Sequence, residues 1–188
     1  MSLELRPRTA QAPGPEVLFS AAEIAARIGT LADEIIADPV MVEAARPPLA
    51  VCALRGAFMF TADLMRALSA RGLDLEVTFL QVASYGSGTA PQGPVTLLQD
   101  TDSTAAGRPV LLIDDILDTG HTLAFLQTHL RAQGATGIVS TVLLDKTERR
   151  EAGVSADHIG FDCPNVFVVG YGMDADGRYR GLPYVGVL

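Results

Sequence analysis

VLLIDDILDTGHTL, Val110 to Leu123, is the stretch on which the reading of this chain turns. Val110 to Ile113 is too short an apolar run for a helix and long enough for a buried strand, and Asp114 and Asp115 end it abruptly. That strand delivers two carboxylates to its exposed C-terminal lip. Asp118-Thr119-Gly120-His121-Thr122 reads as a small hydroxylated loop, after which Leu123, Leu126 and Leu130 recur at helical spacing. Strand, loop and helix in this order aim free backbone N–H groups and a helix N-terminus at one spot, which favours a phosphate.

Three aspartates beside a phosphate would repel it. The conflict disappears if the ligand also carries hydroxyls that a carboxylate can accept from, or arrives with a divalent cation. A sugar phosphate bound with magnesium meets both conditions. The competing reading, an acidic strand end before an ordinary capped helix, asks for no ligand.

The chain has 188 residues, 48% hydrophobic and 19% charged, which fits one domain with a real core. No apolar run approaches the length of a membrane span, and residues 1–16, with Arg6, Arg8 and three prolines, lack the apolar centre of a secretory signal and read as a loose arm. Cys52 and Cys163 stand far apart, and His121, His129 and His158 form no zinc spacing, so a reduced, cytoplasmic protein is expected. The net charge of −8 argues against a broad nucleic-acid surface but not against an anionic small molecule, whose field is set locally, so charge alone decides little.

Outward from the central stretch, Ser20-Ala21-Ala22-Glu23 has capping-box form, and Ile24, Ile28, Leu31 and Ile35 share one helical face before Pro39. Leu49 to Leu54 predicts a buried strand, Arg55-Gly56-Ala57 a turn, and Phe58 to Arg71 a helix closed by Gly72. Leu75 to Ser84 and Val95 to Gln99 read as strands around a mobile tip at 84–94, a solvated linker or a lid. Ile138 to Leu144 is strand with Asp145 and Lys146 at its lip; Thr147 to Pro164 reads as irregular, and Val166 to Val169 as a short strand. The apolar tail from Leu182 is expected to dock back. The fold predicted is α/β: a mostly parallel twisted sheet flanked by helices, in a single domain over residues 17–188.

The central stretch resembles the phosphoribosyl-pyrophosphate (PRPP) signature of the type I phosphoribosyltransferases. LRGAFMFTADL (Leu54 to Leu64), VASYGSG (Val82 to Gly88), LLDKTERRE (Leu143 to Glu151), NVFVVGYGMD (Asn165 to Asp174) and the final YRGLPYVGVL are similar to hypoxanthine-guanine phosphoribosyltransferases, in the same order. The resemblance implies that family's fold, with a small hood made by the terminal segments. It implies purine salvage: transfer of the phosphoribosyl group from PRPP to hypoxanthine or guanine, with magnesium, in a dimer or tetramer.

By that resemblance Asp114 and Asp115 accept from the ribose hydroxyls, directly or through magnesium-bound water. Asp118, Thr119, Gly120, His121 and Thr122 wrap the 5′-phosphate, and Asp118 exchanges a proton with the purine imidazole nitrogen. Lys146, a donor only, suits a 6-oxygen and opposes the 6-amino group of adenine. Phe167 stacks on the purine, and the Val168 backbone reads its edge. Arg55, Gly56 and Arg180 hold pyrophosphate, Asp174 takes a magnesium ion, Arg150 adds positive charge nearby, and Ser84 and Tyr85 belong to a lid. The family commonly carries lysine where Arg55 stands, and the Leu54–Arg55 peptide is cis in many relatives. His121 replaces a Lys or Arg frequent there. Two alternatives stay open: a xanthine-preferring relative, and a non-catalytic PRPP-sensing regulator that binds nucleic acid.

Overall fold

The computed structural model describes residues 14–42, 45–84, 95–101 and 104–188. Most of the arm, residues 1–13, and the tip at 85–94 lie outside the described residues.

The larger sheet has six strands in the order β4-β3-β2-β5-β6-β7: β2 is Leu49–Leu54, β3 Glu76–Ser84, β4 Val95–Gln99, β5 Pro109–Leu117, β6 Gly137–Asp145 and β7 His158–Asp162. All neighbours are parallel except β3 and β4, the hairpin pair. The central strands are apolar on both sides, and helices cover both faces, as a parallel sheet requires. On one face, α1 (Ala21–Ile36) and α3 (Phe58–Ser69) bury Ile24, Ile28, Leu31, Ile35, Phe60, Leu64 and Leu68. On the other, α4 (His121–Ala132) buries Leu123, Leu126 and Leu130. A four-residue turn of helix, α2 (Pro39–Val42), follows α1.

The capping box of α1 is formed: Glu23 N donates to Ser20 Oγ and Ser20 N to Glu23 Oε2. Helix α3 stops at Ser69, two residues short of its predicted end, and Gly72 at φ +89° turns the chain out. Strand β5 is longer than expected. It runs through Asp114 and Asp115 to Leu117, because its ladder to β6 continues to Leu117 opposite Asp145. Asp114 is consequently 8% exposed and no lip residue.

Three short strands make a second, antiparallel sheet in the order β1-β9-β8: β1 is Glu16–Phe19, β8 Val168–Val169 and β9 Val185–Val187. This is the hood, built from both terminal segments. It draws in Glu16, the last residue of the predicted arm, and keeps only two residues of the strand predicted over Val166 to Val169. Strand β7 lies within the segment read as irregular. It is an edge strand tied to α1 and to the chain before it: Arg27 donates to Ile159 O at 2.6 Å and Gly160 O at 2.9 Å, and Phe161 stacks on Phe19.

Candidate active site

In a parallel sheet all strand ends of one sense share an edge, and a cleft opens where neighbouring connections diverge. Here that point lies between β2, whose chain leads to β3 on one side, and β5, which leads to β6 on the other. Pairing of β2 with β5 ends at Cys52 and Ile113, although β2 stays paired with β3 to Leu54 and β5 with β6 to Leu117. The two strands part, and a cavity of about 760 Å³ occupies the gap beneath the hood.

That cavity gathers residues from widely separated parts of the chain. Arg55, Gly56, Asp114, Asp115, Asp118, Thr122, Lys146, Phe167, Val168, Asp174 and Arg180 line it, so most of the predicted set comes together. Thr119, Gly120 and His121 form the loop behind Asp118 and Thr122, and the His121 ring turns outward to Glu151, 3.0 Å away. Ser84 ends β3, its backbone opposite Val95, and Tyr85 lies outside the described residues.

Glycine is required at the floor. A Cβ on Gly56 would stand 1.7 Å from Asp115 Oδ2, and one on Gly172, at φ +103°, 2.1 Å from the Gly56 carbonyl. The 55–57 turn is thus pressed between Asp115 and the turn that leads to Asp174. The Leu54–Arg55 peptide is cis. Arg180 Nη1 donates to Gly172 O at 2.6 Å and Nη2 pairs with Asp174 Oδ1 at 2.6 Å, while Gly177 N donates to Asp174 Oδ2 at 2.7 Å. Tyr171, buried at φ +48°, donates its hydroxyl to Asp63 and ties this turn to α3.

Electrostatics at the acidic pair favour a cation. Burial pushes the Asp114 carboxyl well above the usual carboxylate range, and the Asp115 charge adds to the effect. Burial also raises Asp115, against the field of Arg180. Asp114 Oδ1 accepts from the Asp115 N–H at 2.9 Å. Lys146 is 6% exposed and donates Nζ to the Val166 carbonyl at 2.8 Å, whereas Phe167, beside it, is 58% exposed on the cavity wall. An ammonium, an open aromatic face and a carboxylate therefore share one end of a cavity.

A family model for the phosphoribosyl transferase domain matches residues 17–176. The hypoxanthine-guanine phosphoribosyltransferase of Streptococcus thermophilus (strain CNRZ 1066) is 39% identical over 173 residues, 92% of each chain. This chain belongs to the hypoxanthine-guanine phosphoribosyltransferase family. The enzyme of that name from Bacillus subtilis (strain 168) is 45% identical over 141 residues, 75% of this phosphoribosyltransferase and 77% of that one. Among solved structures, a Trypanosoma cruzi hypoxanthine phosphoribosyltransferase mutant in a ternary substrates complex superposes with a TM-score of 0.84 at 39% identity, covering 92% of this chain and 94% of that one. A Staphylococcus aureus hypoxanthine phosphoribosyltransferase gives 0.83 at 35% identity, over 92% and 90%.

Sequence reasoning passed over several cavity residues of this phosphoribosyltransferase. Gln81, Val82, Asn165 and Met173 carry no chemical signal in a one-dimensional reading. Arg149 does: it follows Lys146 by three residues, lines the cavity, and places Nε 3.1 Å from Asp118 Oδ1. Its neighbour Arg150, expected to add positive charge to the site, instead points behind the phosphate loop and pairs with buried Asp145. No helix among the described residues is long and apolar enough to cross a membrane.

Proposed function

We propose that the protein transfers the 5-phosphoribosyl group of PRPP to hypoxanthine or guanine, forming IMP or GMP and releasing pyrophosphate. The observation that carries this is the meeting of Asp118, Lys146 and Phe167 with Asp114, Asp115, Asp174 and Arg180 in one cavity at the parting of β2 and β5. Few reactions need a sugar-hydroxyl acceptor, a purine-sized stacking face and an anion clamp together.

The purine stacks on Phe167, presents its 6-oxygen to the Lys146 ammonium, and offers its edge to the Val168 backbone. Asp118 accepts the proton from the imidazole nitrogen as that nitrogen bonds to the sugar carbon and the bond to pyrophosphate breaks. Thr119 to Thr122 hold the 5′-phosphate through backbone N–H groups and the N-terminus of α4. Asp114 and Asp115 accept from the ribose hydroxyls, and their negative charge favours the oxocarbenium-like sugar. Gly56 and Arg55 flank the departing pyrophosphate, and Arg180 has guanidinium N–H groups to spare for it.

Magnesium fits these residues. Asp114, Asp115 and Asp174 are hard oxygen donors on the wall of one cavity. That suits an ion that takes one or two carboxylates and completes its shell with substrate oxygens and water. When bound, it supplies the positive charge that neutralises pyrophosphate. The loop of residues 84–94, with Ser84 and Tyr85, serves as a lid over the reacting centre, excluding water that would hydrolyse PRPP. Residues 17–188 act as one catalytic domain, to which Glu16 adds the first residue of the hood strand. Free buried Cys52 and Cys163 fit the cytoplasm, and exposed Val77, Phe79 and Leu98 support a homo-oligomer.

Initial rates with hypoxanthine, guanine and xanthine at equal PRPP test the substrate class. Turnover of hypoxanthine, guanine or both is expected; turnover of xanthine alone would contradict the proposal.

A further inference from the structure

The Arg150 guanidinium lies behind the phosphate loop and bonds both to the loop backbone and to groups packed beneath it. Nε donates to the Asp118 carbonyl at 3.1 Å, Nη1 to the Val154 carbonyl at 2.7 Å, and Nη2 to the Leu117 carbonyl at 3.4 Å and to the Asp145 carboxylate. The next carbonyl, that of Thr119, is taken from the same side by the N–H groups of Glu151 and Ala152 at 3.0 and 2.9 Å. The Leu117 carbonyl also accepts from the Lys146 N–H at 2.9 Å, so the three successive carbonyls, 117 to 119, are all turned toward the 146–152 segment behind the loop.

In a trans peptide the N–H points opposite to the C=O of the same plane. Turning those carbonyls backward aims the N–H groups of Asp118, Thr119 and Gly120 forward, to the side where Asp118 and Thr122 line the cavity. The loop lies close on this support: a Cβ on Gly120, at φ +89°, would meet Val154 Cγ2 at 2.9 Å and Arg150 Cδ at 3.0 Å. The charge of Arg150 is matched by Asp145, so its guanidinium acts through the backbone and not as a free cation.

We infer that Arg150 is a positioning residue for the 5′-phosphate, which holds the loop carbonyls so that the N–H groups converge on the anion. This rests on the phosphoribosyl reading above. Arg150→Lys is the discriminating variant, because it keeps the charge but one ammonium cannot span the separate carbonyls.

Calorimetry compares IMP with inosine, which differs only by the phosphate. The wild-type protein favours IMP; a wild-type protein that binds both alike overturns the phosphoribosyl reading. Given that preference, Arg150→Lys is expected to weaken IMP about tenfold, the size of one charged hydrogen bond, with inosine unchanged within about twofold. Michaelis constants should follow, rising for PRPP and not for hypoxanthine. Undiminished IMP affinity in Arg150→Lys, or equal weakening of IMP and inosine, overturns the inference. Asp145→Asn, which removes the partner of Arg150 at a different position, should also weaken IMP selectively; if it leaves IMP affinity intact the inference fails even where Arg150→Lys does not fold.

Discussion

The α-carbon of Gly56 and the carboxylate of Asp115 are in contact, so close that a methyl group on the glycine would stand 1.7 Å from Oδ2. The contact joins the turn after β2 to strand β5 at the place where the two strands cease to pair. Gly56→Ala must move either the turn or the carboxylate, and a displacement of about 1 Å at a reacting centre costs about a hundredfold in rate. We expect that loss in kcat/KM for PRPP with retained secondary structure, read by initial rates and circular dichroism.

Asp118 has the role of proton acceptor in the proposed reaction. Asp118→Asn keeps the shape but removes the basic oxygen, and should lower kcat by about a hundredfold or more while PRPP binding is largely retained. Pre-steady-state rates with calorimetric PRPP affinities check it; full activity in the variant would remove the role.

Lys146 meets the base and also braces its pocket through the Val166 carbonyl. Lys146→Ala should raise the KM for hypoxanthine by about tenfold, the value of one charged hydrogen bond, and alter kcat far less. Equal KM values in the two proteins would place the 6-oxygen elsewhere.

The acidic pair links function to stability. Because burial and mutual repulsion raise Asp114 in the folded chain, this pair's contribution to stability is fully present below the unfolded carboxyl pKa and is lost as pH rises through the raised folded value. Asp114→Asn relieves the repulsion. Without magnesium, its melting temperature should exceed that of wild type by a few degrees at pH 8 and by less at pH 5, while activity falls. Thermal melts across that range check the sign.

Legibility of the fold followed local chemistry. Strands β2 and β4 stand where Leu49 to Leu54 and Val95 to Gln99 predicted them, since apolar runs and turn residues bound each one directly. Strands β1 and β7 did not announce themselves, because both are short edge strands held by partners distant in sequence: β1 by β9, and β7 by β6 and Arg27 of α1. The extension of β5 through its aspartates likewise depends on the β6 ladder. At the site, residues with charged side chains drew notice, as Lys146, Asp118 and Asp174 did, and all three line the cavity. Arg150 was misplaced because composition gives its charge but not its direction, and Gln81 and Asn165 were passed over because neither has a charge to attract notice.

Purified protein incubated with magnesium, PRPP and hypoxanthine, with IMP and pyrophosphate both quantified, tests the central claim most directly. The account predicts that the two products appear in equal amounts and that neither forms when hypoxanthine is omitted. Pyrophosphate released without IMP, or no consumption of PRPP at all, would contradict it.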